Sequence, residues 1–153
     1  MEIINNLEEI DILARTIYGE ARGEYGRRDG GIAALIAVGN VVMNRLKAKT
    51  WYGKTITEIC HKPFQFSCWN PQDPNRVLLM SSQIEQDRLF HLCHQVAESV
   101  ATSQWPDLTH GSDHYYALTM SKPPAWSQQK KPKIQLGQHI FFKLASESSE
   151  ERN

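Results

Sequence analysis

The segment from Ile32 to Leu46 constrains the fold of this chain more than any other feature. Alanine, valine, isoleucine and leucine occupy so many of its positions that a helix here keeps little polar face. Such a helix belongs in a protein core. A membrane helix needs roughly 20 apolar residues, whereas the longest uninterrupted apolar run here, Ile32–Val38, has seven. We therefore expect a buried core helix and no membrane insertion.

An amphipathic helix is predicted before this core segment. Apolar side chains recur at helical spacing from Leu7 to Ala21, and the pattern predicts a helix from about residue 7 to Tyr18. Glycines follow at positions 19, 23 and 26, and glycine is a common stop signal for helices. We expect the helix to end near Gly19 and to be followed by a glycine-punctuated loop.

The second half of the chain combines a helix with short strands. Ser82–Glu85 matches the capping box, which predicts a long helix from Ser82 to about Thr102. Two β-like runs follow, His114–Thr119 and His139–Leu144. Helices first and a small amount of sheet afterwards indicate an α+β fold in which helix dominates.

Length and charge restrict the classes of function. The 153 residues fit a single domain, which we place at residues 1–145, with a polar tail at 146–153 that we expect to be frayed. Seventeen basic residues balance seventeen acidic ones, so the chain has no net positive charge to attract nucleic acid. The N-terminus lacks a basic region, a long apolar core and a cleavage site, and we expect synthesis in the cytoplasm without a signal peptide.

Glu20 is the first candidate for chemistry. It follows Gly19 at the predicted end of the first helix, where a carboxyl can overhang a cleft while Ile17 and Ala21 anchor the turn behind it. A carboxyl in such a position suits general acid catalysis. The alternative that the local sequence leaves open is a surface glutamate near a helix end.

The stretch Cys60–Asn70 combines flat apolar faces with hydrogen-bonding groups. The apolar residues are Phe64, Phe66 and Trp69, and the polar ones are Gln65, Ser67 and Asn70. Sugar rings present C–H groups on their faces and hydroxyls at their edges, so this combination suits a carbohydrate. The alternative is a turn whose aromatic residues fill the core. His114, which begins a β-like run, is likewise either a substrate-orienting or a structural histidine.

Metal and thiol chemistry have weaker support. His91 and His94 lie three positions apart, but the chain has neither an HExxH nor a CxxC motif, and we expect no metal or other cofactor. The three cysteines are Cys60, Cys68 and Cys93. We expect reduced thiols, with a Cys60–Cys68 pair left open. A nucleophilic pair of Cys68 or Cys60 with His114 remains an alternative.

The order of several sequence blocks resembles the spore cortex-lytic (SleB-type) cell-wall hydrolase family. The blocks are Ala14–Glu24, Gly39–Arg45, Gln65–Trp69, Thr109–Ala117, and Pro124–Trp126 with Gly137–Phe141. The resemblance covers about residues 12 to 142. In the fourth block Ser112 and Asp113 replace an Ala-Thr pair of the family, and Tyr116 replaces its second histidine.

This resemblance implies a lysozyme-like fold and a catalytic role for Glu20. The residues that we expect to bind substrate are Glu24, Gln65, Phe66, Ser67, Trp69, His114, Tyr115 and Tyr116. The implied substrate is the glycan strand of peptidoglycan, cut between N-acetylmuramic acid and N-acetylglucosamine. The implied reaction is that of a lytic transglycosylase, whose products end in 1,6-anhydromuramic acid.

Other functions remain open at this stage. A hydrolytic muramidase would use Glu24 or Asp113 to activate water. A peptidoglycan amidase or peptidase would use Cys68 with His114, or zinc, and a wall-binding module would use no catalytic group. We expect a monomer. The missing signal peptide favours a phage or prophage endolysin that a holin releases to the wall.

Overall fold

The structure is a computed structural model that describes residues 2–26, 30–63 and 65–145. The predicted polar tail at 146–153 lies outside these residues. In chain order the helices are α1 Glu2–Tyr25, α2 Gly31–Ala48, α3 Ile56–His61, α4 Asn75–Leu79 and α5 Arg88–Ala101, and the strands are β1 His114–Ala117, β2 Ile134–Leu136 and β3 His139–Phe142. The predicted helix-dominant α+β fold is confirmed.

Helix α2 forms the centre of the core. It packs against α1 and α5, and a Cβ at Gly39 would lie only 3.4 Å from side-chain atoms of Ile17 and Val100. The glycine therefore lets three helices approach closely. By length and composition alone α2 could span a membrane, but half of it is buried inside the protein.

Helix α1 is longer than the sequence pattern predicts. It passes through Gly19 and Gly23 and ends at Tyr25, so the predicted end near Gly19 is wrong. A Cβ at Gly19 would lie 2.7 Å from Cys68 Cβ and 2.9 Å from Leu79 Cδ1. This glycine permits close packing inside a helix and does not terminate it.

Helix α5 begins later than predicted. Ser82–Gln86 forms a separate 3-10 helix, and α5 starts at Arg88. Its N-cap is Asp87, whose Oδ1 accepts a hydrogen bond of 2.8 Å from the Leu89 amide. The predicted capping serine, Ser82, is instead the first residue of the 3-10 helix, whose N-cap is Ser81 with its side-chain oxygen accepting the Gln83 backbone amide. Serine and aspartate are equally good N-caps, so two successive helical segments each begin with a cap of their own.

The sheet is small and antiparallel, with strand order β1-β3-β2. Tyr115 lies opposite Phe141 in the β1–β3 pair, and Leu136 lies opposite His139 in the β2–β3 pair. Both predicted β-like runs form strands, although each is two residues shorter at its end than expected. Strand β2 was not predicted, since three residues are too few to show a periodic pattern. The segment 118–133 joins β1 to β2 and reaches the site described below.

Candidate active site

A cleft of about 510 Å³ opens between α1, the turn after α3 and the sheet. Its walls are formed by Glu20, Arg45, Gln65, Ser67, Tyr115, Tyr116, Ala117, Met120, Pro124, Trp126 and His139. Among the residues that the structure describes, Glu20 is the one acidic side chain that lines this cleft.

Two hydrogen bonds hold the Glu20 carboxylate. The backbone amide of Cys68 donates to Oε2 over 3.1 Å, and the hydroxyl of Tyr115 donates to Oε1 over 2.5 Å. Glu20 is half-buried on α1, so the carboxylate is anchored on one side and faces the cleft on the other. This arrangement suits a group that exchanges protons with a bound substrate.

Tyr115 is a reliable donor to this carboxylate. Burial raises the pKa of Tyr115 well above its ordinary value, and the nearby Glu20 charge raises it further. The phenol therefore stays protonated at neutral pH. Its ring lies 4.8 Å from the ring of His139 and 5.4 Å from that of Phe141, measured between centroids, so packing on β3 fixes its direction.

Arg45 brings a positive charge from α2 to the cleft. Its Nε donates to the backbone carbonyl of Asp113 over 2.7 Å, and its Nη1 donates to Gln65 Oε1 over 3.1 Å. The guanidinium carbon lies 4.9 Å from the Phe66 ring centroid. Burial lowers the pKa of Arg45, but an arginine keeps its charge at neutral pH. Arg45 thereby orients the Gln65 amide at the cleft wall.

The structure brings together part of the predicted substrate site. Gln65, Ser67, Tyr115 and Tyr116 line the cleft with Glu20. Phe66 does not, because it is 1% exposed and lies beneath Arg45 in the core.

Three further predicted residues also lie outside the cleft. The indole N–H of Trp69 donates to Thr16 Oγ1 over 2.9 Å, and the ring faces a separate hollow on the side of Leu79. His114 bonds through Nδ1 to Asp113 Oδ1 over 3.0 Å. Glu24 is buried, and its Oε1 accepts a hydrogen bond of 2.9 Å from the backbone amide of Gln138. All three therefore make internal contacts in this structure.

The Asp113 side chain is also occupied by internal hydrogen bonds. It is 2% exposed, and its two oxygens accept the amides of Leu144 and Ala145, each over 2.9 Å. Burial alone would raise the pKa of Asp113, but the hydrogen bonds from His114 and these amides outweigh it and lower the pKa. Neither Asp113 nor Glu24 lines the cleft as a second carboxylate.

The cysteines are unsuited to nucleophilic chemistry. Cys60, Cys68 and Cys93 are free and buried. Burial raises the pKa of the Cys60 and Cys93 thiols to about 12 and that of Cys68 still higher, so the reactive thiolate is scarce at neutral pH. Within residues 2–26, 30–63 and 65–145, no cluster of His, Cys, Asp and Glu suitable for a metal ion occurs.

Sequence reasoning missed several cleft residues. Arg45, Trp126 and His139 lie inside the family-like blocks but were given no role, and Met120 lies in no block. The signal that marks Arg45 is that it is the one charged residue in the segment Ile32–Leu46. No pattern pointed to Met120, whose position depends on the path of the segment between β1 and β2.

Comparison with known proteins assigns the chain to a family. The sequence profile of the Cell Wall Hydrolase family matches residues 31–142. The chain belongs to the cell wall hydrolase family. This confirms the family suggested by the sequence blocks. The matched range includes Arg45, Gln65 and Tyr115 but starts after α1, so the role of Glu20 depends on the geometry of the cleft.

Solved structures show the same fold as this cell wall hydrolase. The catalytic domain of Bacillus cereus SleB is 18% identical with a TM-score of 0.61, and the match covers 88% of this chain and 89% of that one. The catalytic domain of the germination-specific lytic transglycosylase SleB from Bacillus anthracis is 20% identical with a TM-score of 0.63, covering 90% and 95%. The sequence has no significant match among curated proteins.

Proposed function

We propose that this cell wall hydrolase is a lytic transglycosylase that cuts glycan strands between N-acetylmuramic acid and N-acetylglucosamine. The observation that carries the proposal is the single acidic group among the described residues of the cleft, Glu20, held by the Cys68 amide and the Tyr115 hydroxyl. Most glycosidases that bring in water use two carboxyl groups. One carboxyl suffices when the sugar supplies its own nucleophile.

The proposed reaction returns the proton to its starting place. Protonated Glu20 gives its proton to the glycosidic oxygen as the bond between that oxygen and C1 of the muramoyl residue breaks. The resulting Glu20 carboxylate removes the proton from the C6 hydroxyl of the same residue, and the C6 oxygen bonds to C1. Cleavage gives two strands. One begins with the free 4-hydroxyl of N-acetylglucosamine, the other ends in 1,6-anhydromuramic acid, and no water is consumed.

The remaining cleft walls suit the two surfaces of a sugar ring. Arg45, Gln65 and Ser67 supply hydrogen-bonding groups on the side of α2 and the turn after α3. Tyr116 and Trp126 supply aromatic faces on the opposite side, their ring centroids 5.9 Å apart. Together they would orient a strand so that the glycosidic oxygen approaches Glu20.

Mass spectrometry of unreduced fragments released from purified peptidoglycan tests the proposal. Ends of 1,6-anhydromuramic acid, one water lighter than reducing ends, are expected. Reducing muramic acid ends would contradict transglycosylation, and cut peptides with intact glycans would contradict glycan cleavage altogether. Glu20→Gln should fold normally and lose at least about a hundredfold in rate, the lower range for general acid–base catalysis.

The biological setting is a further part of this proposal. Peptidoglycan lies outside the cytoplasmic membrane, so an enzyme made in the cytoplasm needs a route to it, and we propose an endolysin role with release by a holin. Expression in a bacterial host with and without a holin tests this. We expect lysis only when the holin is present, and lysis without it would contradict the role.

We also propose that the protein is a monomer, which analytical sedimentation would check.

A further inference from the structure

The basic residues of this chain are unevenly distributed. From His114 to Ala145 the sequence has five lysines and no aspartate or glutamate, although the whole chain is neutral. Four of the five lysines lie in the segment 118–133 that joins β1 to β2. The local excess of positive charge therefore lies on the segment that also forms one wall of the cleft.

A second hollow lies beside the cleft. It has a volume of about 330 Å³, and its walls include Tyr116, Lys122, Lys130, Pro132, Ile140 and Phe142. We call it the lysine hollow. Tyr116 lines both cavities, so this ring and the neighbouring Trp126 separate the cleft from the lysine hollow.

The segment 118–133 presents different residues to the two cavities. Met120, Pro124 and Trp126 face the cleft, whereas Lys122 and Lys130 face the lysine hollow. The hollow has an apolar side as well, because Tyr116 and Phe142 stack with their ring centroids 5.8 Å apart. A ligand suited to this hollow carries both small apolar groups and negative charges.

The glycan strand assigned to the cleft carries such a group. Each muramic acid bears a peptide stem, and a stem contains alanine methyl groups and free carboxylates. A strand lying in the cleft must project its stems out over the wall. We propose that the lysine hollow binds the carboxylates of a peptide stem whose muramic acid lies in the cleft, an inference that rests on the proposed function.

Lysine suits this task. Its ammonium is a point charge on a flexible chain, so it can follow a stem that differs in length or cross-linking. Interactions of this kind at a cavity rim change the rate of encounter and its salt dependence more than they change chemistry. The hollow should therefore affect the capture of stem-bearing strands and leave bond cleavage itself unaffected.

The test compares two double variants on two substrates. Lys122→Gln with Lys130→Gln removes the charge of the hollow, and Lys47→Gln with Lys54→Gln removes two exposed lysines elsewhere. The substrates are glycan strands with stems and strands from which an amidase has removed them. We expect the first variant to lose about three- to tenfold in kcat/KM on stem-bearing strands only, and the second to match the wild type.

Three outcomes would overturn the inference. One is an unchanged rate of the hollow variant on stem-bearing strands, and another is an equal loss on stem-free strands, which would indicate contact with sugar. The third is a loss on whole walls that vanishes once phosphate-containing wall polymers are removed, which would assign the hollow to those polymers.

A binding measurement keeps this inference separate from the proposed reaction. Isothermal titration of Glu20→Gln with soluble muramoyl-peptide reports capture even if the chemistry of cleavage differs from the proposal. Tighter binding of muramoyl-peptide than of muramic acid, abolished by the Lys122 and Lys130 substitutions, supports the hollow. Equal binding of both ligands contradicts it, whereas failure of the proposed function would show as absent glycan cleavage by the wild type.

Discussion

The hydroxyl of Tyr115 donates a 2.5 Å hydrogen bond to Oε1 of Glu20, a residue 95 positions earlier in the chain. This bond connects strand β1 to helix α1. The helix sets the position of the carboxylate, and the strand, backed by β3, supplies the donor that orients it. The geometry of the candidate catalytic group therefore depends on the packing of the sheet against the helices.

Tyr115→Phe should lower the turnover number about tenfold while the protein stays folded. The substitution keeps the half-buried ring and removes only the hydroxyl, so the carboxylate keeps the Cys68 amide as a partner and gains freedom to rotate. Poor orientation of a catalytic group reduces rate more than it reduces binding. Rates of fragment release from soluble peptidoglycan, with thermal unfolding measured in parallel, check this expectation.

Tyr116→Phe provides the matched control. It removes a hydroxyl from the next residue of β1, which lines the cleft on the side of Trp126. We expect it to raise KM more than it lowers kcat. Equal losses of kcat in the two variants would contradict an orienting role specific to Tyr115.

The helical layer of the fold was largely predictable, but the ends of its elements were not. The apolar pattern predicted α2 because a helix buried on most sides needs apolar residues at most positions. The same reasoning misplaced the end of α1 at Gly19, since glycine serves both as a stop signal and as a point of close approach. Only the neighbouring Cys68 and Leu79 distinguish the two uses.

The candidate site was predictable in outline only. Gln65 and Ser67 reach the cleft, whereas Phe66 between them is buried. Neighbouring residues of a turn point in different directions, and a turn has no sequence period that would tell them apart. The role of Arg45 is unpredictable for a different reason, because it depends on contacts with Gln65 and Asp113, which are distant in sequence.

Gly19→Ala should destabilise the protein by about 1–3 kcal/mol, the usual range for overpacking a core. The new Cβ would lie 2.7 Å from Cys68 Cβ and 2.8 Å from its Sγ, so α1 and the Ser67–Trp69 turn would move apart. That movement would also disturb the Cys68 amide that bonds Glu20, and activity should fall. Urea unfolding and rate measurements check both effects.

Gly23→Ala is the control on the same helix. A Cβ there meets no atom within 4 Å, and alanine favours helix over glycine by about 0.5–1 kcal/mol. We expect this variant to be as stable as the wild type or more so, with full activity. A similar loss of stability in both variants would contradict the packing role assigned to Gly19.

Thiol reagents should leave the native enzyme active. Cys60, Cys68 and Cys93 are at most 1% exposed, and burial raises the pKa of each thiol. Iodoacetamide at pH 8 should therefore label no cysteine in the folded protein and all three after unfolding in urea, as counted by mass spectrometry. Inactivation that parallels labelling of Cys68 would favour the cysteine amidase alternative over Glu20.

Asp113→Asn should cost about 2 kcal/mol of stability at pH 7, because asparagine has a single acceptor oxygen and a donor NH2 group in place of the second oxygen. One of the two backbone amides that Asp113 accepts is then left without an acceptor. The pKa of Asp113 is lowered from 3.8 in the folded protein. Its contribution to stability is therefore complete above pH 3.8 and is lost as the pH falls through the lower folded value. The difference in free energy of unfolding between wild type and variant, measured with urea, should shrink from pH 7 to below pH 3.

Glu98→Gln, on the exposed face of α5, controls for the change in net charge. A difference that stays constant across this range would show that the ionised form of Asp113 does not stabilise the contact with Leu144 and Ala145 after β3.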